Sequence, residues 1–496
     1  MATSRKKKKG RPNILTALKL HGLKGIETEE KEYWRKVILE NEDYTEEQWR
    51  GIEGYNRSDV DATVALLDVM APTIDWPHAL FRGRFMASVA RSERIGLPLD
   101  RPRLISFVEH WDLLKQHYIE RDDEFDLYDG LNFSETRLWN LIDARGWDWP
   151  RTPTGRPELA AKTLRRQAQR YPDLRKFVHL REHIAELRIN KLMNTVGLDG
   201  FSRCPLLPFW TNTGRNQPSA KDKMFLPGLP AWLHGLIKPP PGDAIFEIDW
   251  DAQEVGVMAG RSGDPNMIED FKTDPYIGFG KRAGLVSDGA SKQNPEHRPT
   301  RDKILKPVVL GQNYGMTPYG IANKTGKSLQ WSRAIHAQHR SVYAPFHAWL
   351  GDVVAQARFD RVIRSPFGWP QHVTGETSTR ALMNFPAQAG GADMMRITMI
   401  AATEAGIQIA APVHDAFWVL CQIAELDSTI ERMTNIMRRA AIAVTGGLPI
   451  NATVEAKVLW PHCLGDVRKD DAKGQKMWLE VNELIRGFQR EDRRYA

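Results

Sequence analysis

The chain has 496 residues, of which 42% are hydrophobic and 26% charged, a composition typical of a globular protein with two to four structural units. No apolar run approaches the ~18 residues of a membrane span, and no apolar stretch follows the charged start, so neither a membrane span nor a secretory signal is expected. Cys204, Cys421 and Cys463 form no C-x-x-C pair, which favours reduced cysteines in the cytoplasm over a zinc site or disulfides.

The elements predicted from residue patterns begin with a basic tail. Residues 1–12 hold six Lys and Arg residues, which account for most of the net charge of +7, and we expect this tail to be disordered. Residues 13–75 have helix-like apolar spacing at 15–23 and 64–70, joined by a polar, linker-like stretch at 41–55. Residues 78–200 predict mostly long helices, and the Pro- and Gly-rich residues 205–243 predict loops and short strands.

Two strand segments dominate the second half. The apolar run 244–249 predicts a strand that ends at Asp249, and a helix is expected to start at Glu254. Residues 266–385 predict helices with breaks at proline, and a Met-rich helix follows at 390–405. Residues 407–413 and 417–420 predict a hairpin with His414 and Asp415 at its turn. The predicted breaks are at Pro295, Pro299 and Pro318.

Asp249 and Asp415 are the most informative residues. An ionised carboxylate beside apolar strands is costly unless it is paired or bound to a metal. On adjacent strands, two carboxylates can hold two divalent cations ~3.5–4 Å apart and stabilise an in-line displacement at phosphorus. Each aspartate alone could instead be a turn or cap residue. Lys306, Leu310 and Tyr314 are spaced by four, so one helix face presents them, and the whole set indicates a template-directed nucleotidyltransferase.

These segments together resemble the three polymerase motifs of the A-family (DNA polymerase I-like) DNA polymerases. Residues 249–254 match the Asp-aromatic-Ser-x-x-Glu motif at its aspartate, aromatic and glutamate positions. Residues 306–315 match Lys-x-x-x-aromatic-Gly-x-x-Tyr-Gly except at Leu310, and His414-Asp415 matches the third motif. The resemblance covers residues 76–496 and is strongest to phage and plasmid members.

The resemblance implies an α+β fold in the form of a right hand, with an antiparallel β palm and helical fingers and thumb. The thumb is expected at 76–204, the fingers at 266–385, and the palm in two parts, at 205–265 and 386–496. The implied reaction is the addition of dNTPs to the 3′ end of a primer on template DNA, in the replication of a phage or mobile element. The implied compartment is the cytoplasm of the bacterial host.

The implied site centres on two Mg²⁺ ions, with Mn²⁺ as a substitute. Asp249, Asp415 and the backbone carbonyl of Trp250 would bind them, and Lys306 would contact the triphosphate. Glu254 would block the position of a ribose 2′-hydroxyl. The arginine usually found four residues before the lysine is replaced by Asp302, so Arg301 is the first candidate for its role and Lys303 the second. The implied nucleotide-binding set is Gln253, Glu254, Tyr276, Arg301, Lys306, Leu310 and Tyr314.

The resemblance also implies contacts to primer–template DNA. The triplet Thr213-Gly214-Arg215 resembles a motif that contacts the minor groove and is preferred to the identical triplet at 154–156, because it lies shortly before Asp249. A second group consists of Arg380, Asn384 and Gln388. Pro386 interrupts this run, so the three residues need not lie on one helix. The implied DNA-binding set is Thr213, Gly214, Arg215, Arg380, Asn384, Gln388 and His414.

The N-terminal segment departs from the family. Tyr55 and Asp59 resemble the Tyr-x-x-x-Asp motif of the 3′–5′ exonuclease domain, but the earlier Asp-x-Glu motif has no place before residue 11. We therefore expect residues 13–75 to be a remnant of that domain and the chain alone not to proofread. A separate exonuclease polypeptide or a processivity factor is a candidate partner.

Two other functions remain open from the sequence. A single-subunit phage-type RNA polymerase shares the lysine helix and a His-Asp turn, but Glu254 and the lack of a large promoter-binding domain argue against it. A non-catalytic DNA-binding subunit is the other, and the presence of Asp249, Asp415 and Lys306 argues against that.

Overall fold

The computed structural model describes residues 14–24, 28–41, 43–186, 189, 192–219, 225–468 and 472–495. The chain divides into two compact units, residues 1–83 and 84–496, and each is described by itself. The predicted tail, residues 1–12, lies outside the described residues. None of the helices that the structure describes is long and apolar enough to cross a bilayer. All three cysteines are buried, and they are not joined in disulfide bonds.

The first unit is helical, as predicted, around a small apolar core of Leu18, Ala62 and Leu66. The predicted linker at 41–55 is wrong over most of its length, because a long helix begins at Glu46. Thr45 caps this helix and exchanges hydrogen bonds with Gln48, a capping box that the sequence contains. The unit's helices are α1 (Ile14–Leu20), α2 (Thr28–Glu40), α3 (Glu46–Met70) and the beginning of α4 (Trp76–Ile95).

The N-terminal part of the second unit is mostly helical, as predicted, with small strand pairs between the helices. Its apolar side chains join those under the main sheet in one core. The elements are β1 (Leu97–Pro98), α5 (Arg101–Glu109), α6 (Trp111–Asp122), β2 (Tyr128–Asp129), β3 (Asn132–Phe133), α7 (Glu135–Arg145), α8 (Ala161–Arg170), α9 (Arg175–Glu186), β4 (Phe201–Ser202), β5 (Leu206–Leu207) and β6 (Gln217–Pro218).

The middle of the second unit starts with a strand and continues as helices around their own core. One expectation is wrong here: residues 266–385 are not helical throughout, because two three-residue strands form a hairpin near their end. The elements are β7 (Asp243–Trp250), α10 (Gln253–Ser262), α11 (Pro265–Phe271), α12 (Pro275–Arg282), α13 (Arg298–Thr300), α14 (Lys306–Asn313), α15 (Pro318–Thr325), α16 (Leu329–Val342), α17 (Ala344–Asp360), β8 (Val362–Arg364) and β9 (Pro370–His372).

The C-terminal part contains the predicted Met-rich helix, which is longer than expected. It begins at Thr379, so the predicted interruption at Pro386 is wrong and the proline lies inside a continuous helix. The predicted hairpin of residues 407–420 is confirmed. The elements are α18 (Thr379–Glu404), β10 (Gln408–Val413), β11 (Ala416–Gln422), α19 (Leu426–Thr445), β12 (Ala452–Leu459), α20 (Leu464–Val467) and α21 (Ala472–Tyr495).

The main sheet has four antiparallel strands in the order β10-β11-β7-β12. Strand β7 is central. Its five apolar residues are all buried, whereas its acidic residues Asp243, Glu247 and Asp249 are half-buried. Helices α10 and α18 pack against each other at Gly390, where an added Cβ would lie 2.8 Å from Val257. This close approach places the start of α10, directly after β7, beside the middle of α18.

Candidate active site

The two predicted carboxylates meet at one end of the sheet. In the register of β7 and β11, Asp249 lies opposite Ala416, the residue that follows Asp415. Asp415 occupies the β10–β11 turn, and its carbonyl accepts a hydrogen bond of 3.4 Å from the Trp250 amide. His414 makes the turn with a φ of +50°. The sheet therefore brings together two aspartates that are far apart in sequence.

The environment of both carboxylates disfavours their charged form. Burial raises the pKa of the Asp249 carboxyl well above its ordinary value, and the negative charge of Asp415 adds to this. Burial also raises the pKa of Asp415, against the opposing effects of its backbone hydrogen bond and of Arg215, His414 and Lys306. Oδ1 of Asp249 is buried and has no hydrogen-bond partner among the described residues. An unpartnered buried carboxylate oxygen beside a second carboxylate is the arrangement that a bound cation would stabilise.

The donor set fits hard divalent cations. Within the described ranges, no group of three or more His, Cys, Asp or Glu side chains is placed to hold a metal. Two carboxylates remain, with the Trp250 carbonyl on the same strand end. Mg²⁺ is commonly bound by one or two carboxylates with water and substrate phosphates completing its shell, so the pair meets the requirement.

Cationic side chains lie on a neighbouring helical segment. Residues Arg301–Leu305 form a π-helical turn, and α14 begins directly after it at Lys306, with Pro307 in its first turn. The change from π-helical to α-helical hydrogen bonding falls at Lys306, directly before Pro307, which has no amide hydrogen to donate. Lys306 Nζ lies 5.8 Å from the ring centroid of the buried Tyr276, and the Arg301 guanidinium carbon lies 5.0 Å from it. The structure therefore brings three of the predicted nucleotide-binding residues together.

Arg301 is already engaged in two ion pairs. Its guanidinium lies 2.7 Å from Asp274 and 2.7 Å from Asp302. Asp274 also caps α12 by accepting hydrogen bonds from the amides of Tyr276 and Ile277. Asp302, which stands where an arginine was expected, thus holds Arg301. A phosphate group approaching Arg301 would compete with both carboxylates.

Leu310 and Tyr314 were predicted to share one helix face with Lys306, and the structure has this arrangement only in part. Leu310 lies on α14, whereas Tyr314 lies just beyond its last residue and caps it. Both are half-buried and pack against the core of the middle segment. The Tyr314 hydroxyl is buried, and no described residue hydrogen-bonds to it. Leu310 offers no aromatic surface to a base.

Arg215 connects the predicted sugar-selecting residue to α18. Its Nη2 lies 3.0 Å from Oε1 of Glu254, and its Nε donates a hydrogen bond of 3.3 Å to the carbonyl of Gln388. Gln253, next to Glu254, is buried, and its Oε1 lies 2.4 Å from where a Cβ on Gly391 would be. Residues from a loop, from α10 and from α18 thus converge beside Asp415.

The loop that carries Thr213, Gly214 and Arg215 is fixed by residues that the sequence did not single out. Gly214 has a φ of +75°, and its carbonyl accepts a hydrogen bond of 2.8 Å from Arg396. Arg396 and Asp393 form an almost fully buried ion pair inside α18. The sequence does contain a signal for this ion pair, since Asp393 and Arg396 are oppositely charged residues three positions apart in an otherwise apolar part of the helix.

The hairpin β8–β9 supports the same loop. The Trp369 indole donates a hydrogen bond of 2.9 Å to the carbonyl of Asn212, and its ring stacks on Phe209 at 5.0 Å. Thr213 exchanges a hydrogen bond of 3.0 Å with Thr211. The triplet 154–156 lies in a separate turn, with Thr154 bonded to Thr152.

Arg380, Asn384 and Gln388 lie along one continuous helix, α18. Arg380 is exposed, and its guanidinium donates to the carbonyl of Gly315 at 3.3 Å, beside the end of α14. Oδ1 of Asn384 is buried without a hydrogen-bond partner in the described part of the chain. His414 is exposed at the turn beside Asp415.

Tyr55 and Asp59 lie in the first unit, one turn apart on α3. The Lys31 ammonium is 2.6 Å from Asp59 and 5.5 Å from the centroid of the Tyr55 ring. The carboxylate is therefore neutralised by a lysine of the same unit.

Part of the chain is similar to known DNA polymerases. Residues 233–461 match the family model described as DNA polymerase family A. The DNA polymerase of Mycobacterium phage D29 is 25% identical over 221 residues, which are 44% of this chain and 35% of the relative. That of Mycobacterium phage L5 is 22% identical over 58% of this chain and 47% of its own length. The chain thus spans less than half of the length of these relatives.

A solved structure has the same fold. The POL domain of Pol1 from M. smegmatis, solved in complex with DNA primer-template and dNTP, matches with a TM-score of 0.66 and 20% identity, over 87% of this chain and 78% of that one. This likeness confirms the predicted fold class of a polymerase right hand. The family match includes both aspartates, Lys306, Glu254 and α18. The chain therefore carries a DNA polymerase family A domain at residues 233–461.

Proposed function

We propose that this chain is a DNA-directed DNA polymerase that adds dNTPs to the 3′ end of a primer and releases pyrophosphate. The observation that carries the proposal is the pair Asp249 and Asp415 on neighbouring strands, with one buried carboxylate oxygen unpartnered among the described residues. The POL domain of Pol1, which shares the fold, was solved with primer-template DNA and dNTP, and this supports the substrate class.

The metal-binding residues follow from the same pair. Asp249, Asp415 and the Trp250 carbonyl would hold divalent cations, Mg²⁺ or Mn²⁺ in its place. When bound, these cations would supply Lewis-acid activation of the 3′-hydroxyl and neutralisation of the leaving pyrophosphate. The protein's own part is to keep both carboxylates at one edge of a rigid sheet, so that little reorganisation accompanies the reaction.

The neighbouring cations position the nucleotide. Lys306 is placed over Tyr276 and acts on the triphosphate, while Arg301 is the second candidate phosphate ligand once it leaves Asp274 or Asp302. Leu310 and Tyr314 form the apolar side of the base site. Lys306 is exposed, whereas Arg301, Leu310 and Tyr314 are half-buried.

Glu254 selects deoxyribose. Its carboxylate is half-buried and fixed by Arg215 at 3.0 Å, so it cannot swing away to admit a 2′-hydroxyl without losing that ion pair. Gln253 is packed against Gly391 directly beside it, which limits movement of the first turn of α10. A rigid side chain in this position would discriminate against ribonucleotides by steric exclusion of the 2′-hydroxyl.

The primer–template lies along the loop 213–215 and α18. Arg215, Gln388 and Asn384 offer donors and acceptors near the catalytic pair, and such groups can test the minor-groove acceptors that all base pairs share. Arg380 and His414 lie at the two ends of this surface and are exposed. Thr213 and Gly214 hold the loop in place.

The first unit does not supply proofreading. Asp59, the candidate exonuclease ligand, is paired with Lys31, and a carboxylate neutralised in this way is a poor metal ligand. We propose that excision depends on a separate polypeptide, and that this chain alone leaves a mismatched primer end uncut. Two relatives are phage polymerases, which supports a role in phage replication in the cytoplasm of a bacterial host.

Primer extension tests the reaction. The purified chain is given a primer–template with Mg²⁺ and either dNTPs or rNTPs, beside Asp415→Ala and a control, Asp243→Ala, which alters the opposite end of β7. Extension with dNTPs that is lost in Asp415→Ala and kept in Asp243→Ala supports the proposal. Extension with rNTPs would indicate an RNA polymerase, and no extension would indicate a binding subunit.

A further inference from the structure

We propose that Glu455, on the strand next to Asp249, is a positioning residue of the metal site, whose carboxylate strengthens the binding of divalent cations through their water ligands. This inference rests on the proposed polymerase function, since it adds one residue to the same site. The three sequence motifs do not include strand β12, so they give Glu455 no role.

The strands on either side of β7 determine which side chains lie next to Asp249. On one side, Ala416 of β11 is directly opposite Asp249 and offers only a methyl group. On the other side, Thr453 of β12 is directly opposite, and its hydroxyl donates a hydrogen bond of 3.0 Å to Asp251. Neither neighbour supplies a carboxylate, and Oδ1 of Asp249 has no hydrogen-bond partner among the described residues.

Glu455 is the extra residue of a β-bulge on β12. The pairing of β12 with β7 shifts its register between Val454 and Ala456, so Glu455 has no partner residue on β7. Bulges are frequent next to active sites, because the extra residue redirects a side chain and bends the strand. The bulge lies one to two residues from the point where β12 pairs with Asp249.

Glu455 lies on the same face of the sheet as Asp249. Thr453 and Glu455 are exposed, whereas Val454 between them pairs with the fully buried Ile248 on the other face. This alternation places Glu455 beside the residue that is opposite Asp249. Burial is the main cause that raises the pKa of the Asp249 carboxyl, and the negative charges of Asp415 and then Glu455 add to it.

The Glu455 carboxylate is available to a bound cation. Its side chain is exposed, and within the described residues no hydrogen bond or ion pair holds it. A divalent cation at Asp249 would replace the repulsion between the two carboxylates by attraction to the ion. Because no three carboxylates in the described ranges are placed to share one ion, Glu455 acts through water, which Mg²⁺ keeps when one or two carboxylates bind it.

The position of β12 at the edge of the main sheet suggests a different role for a charged residue. Charged side chains and bulges on an edge strand hinder its pairing with another chain. Lys457, two residues further along β12, is also exposed and serves that purpose. The two roles differ in the charge that they require, since either sign protects an edge, whereas a cation is attracted only by a negative one.

The test is a charge series at position 455, measured as the Kd for Mn²⁺ of the full chain without DNA or nucleotide, from the EPR signal of the free ion. Glu455→Gln removes the negative charge, and Glu455→Lys reverses it. We expect Glu455→Gln to weaken Mn²⁺ binding about tenfold, the lower end of the effect of residues that support metal ligands, and Glu455→Lys to weaken it further. Glu431→Gln and Glu431→Lys, at an exposed acid on α19, are the matched controls and should keep the wild-type Kd.

The stability of the metal-free protein separates this role from a structural one. Glu455→Gln removes a repulsion with Asp249, so its melting temperature in EDTA should equal or exceed that of wild type. The rise in melting temperature on addition of Mn²⁺ should be smaller than in wild type, because a weaker ligand stabilises less. A residue that only supports the strand would instead lower the melting temperature in EDTA and leave the Kd for Mn²⁺ unchanged.

Asp249→Asn distinguishes a failure of this inference from a failure of the proposed function. Loss of Mn²⁺ binding in Asp249→Asn, with graded weakening from Glu455→Gln to Glu455→Lys, supports both. Wild-type Kd values in both Glu455 variants, with binding lost in Asp249→Asn, would overturn the role of Glu455 alone. Mn²⁺ binding of equal strength in wild type and Asp249→Asn would overturn the metal site on which the proposed polymerase function depends.

Discussion

The guanidinium of Arg215 lies 3.0 Å from the carboxylate of Glu254. The two residues come from a loop and from α10, and both side chains are about three-quarters buried. The same guanidinium donates a hydrogen bond to the Gln388 carbonyl, so one cation holds the proposed sugar selector and α18, the helix proposed to contact DNA, in a fixed relation. Sugar selection and primer–template binding are therefore expected to respond together to changes at Arg215.

Sugar selection should weaken when Glu254 is shortened. We expect Glu254→Ala to reduce the ratio of kcat/KM for dNTP over rNTP by roughly 10- to 100-fold, because the obstacle to a 2′-hydroxyl is gone. Single-nucleotide incorporation with matched dNTP and rNTP measures this ratio. Arg215→Ala should reduce it less and should also weaken primer–template binding. An unchanged ratio in Glu254→Ala would refute the assignment.

The contact between α10 and α18 should be intolerant of a single methyl group. A Cβ at Gly391 would lie 2.4 Å from the Gln253 side chain, so we expect Gly391→Ala to cost ~1–3 kcal/mol in the free energy of unfolding. Gly351→Ala on α17 is the matched control, since no atom of the described residues lies within 4 Å of its Cβ. Replacement of a helical glycine there should stabilise by ~0.5–1 kcal/mol. Urea denaturation distinguishes the two, and equal effects would contradict the packing described.

The buried pair Asp393 and Arg396 should be essential to the fold. Both side chains are at most 3% exposed, and Asp393→Ala would leave a buried guanidinium uncompensated, at a cost of ~3–5 kcal/mol. Glu404→Ala breaks an exposed pair with Arg84 and should leave the unfolding transition nearly unchanged. Thermal and urea denaturation of both variants measure this difference. A mild effect of Asp393→Ala would show that the pair is not what holds the Gly214 loop.

Metal-free stability should fall as the pH rises. A carboxyl with a raised native pKa binds its proton more tightly in the folded than in the unfolded chain, so stability decreases as pH increases from the unfolded pKa towards the native one. In EDTA at pH 8, Asp249→Asn should therefore be more stable than wild type by ~1–2 kcal/mol, because it removes this unfavourable charge. It should also abolish extension. Denaturation at pH 5 and pH 8 provides the check, and a variant less stable than wild type at pH 8 would contradict the raised pKa.

The sheet and its two aspartates could be predicted because their signals are local. An apolar run ending in Asp249, and two apolar runs flanking His414 and Asp415, specify strands and a turn by themselves, and pairing then brings the carboxylates together. The reaction could be predicted because the three motifs occur in the same order as in the family that they resemble.

Other parts depended on partners that are distant in sequence. The convergence of Arg215, Glu254 and Gln388 joins three segments and has no local signal. The strands β8 and β9 have three residues each, too few for a visible alternation. Pro386 lies inside α18 because packing on the surrounding buried residues outweighs the loss of one helical hydrogen bond.

The role of the two aspartates is tested most sharply by single-turnover incorporation of one dNTP as a function of Mg²⁺ concentration, for wild type, Asp249→Ala and Asp415→Ala. We predict Mg²⁺-dependent incorporation by wild type, no incorporation without the metal, and a loss of at least about 1,000-fold in each variant at saturating DNA. Incorporation by either variant at a rate close to wild type would contradict the assignment of Asp249 and Asp415 as the catalytic centre.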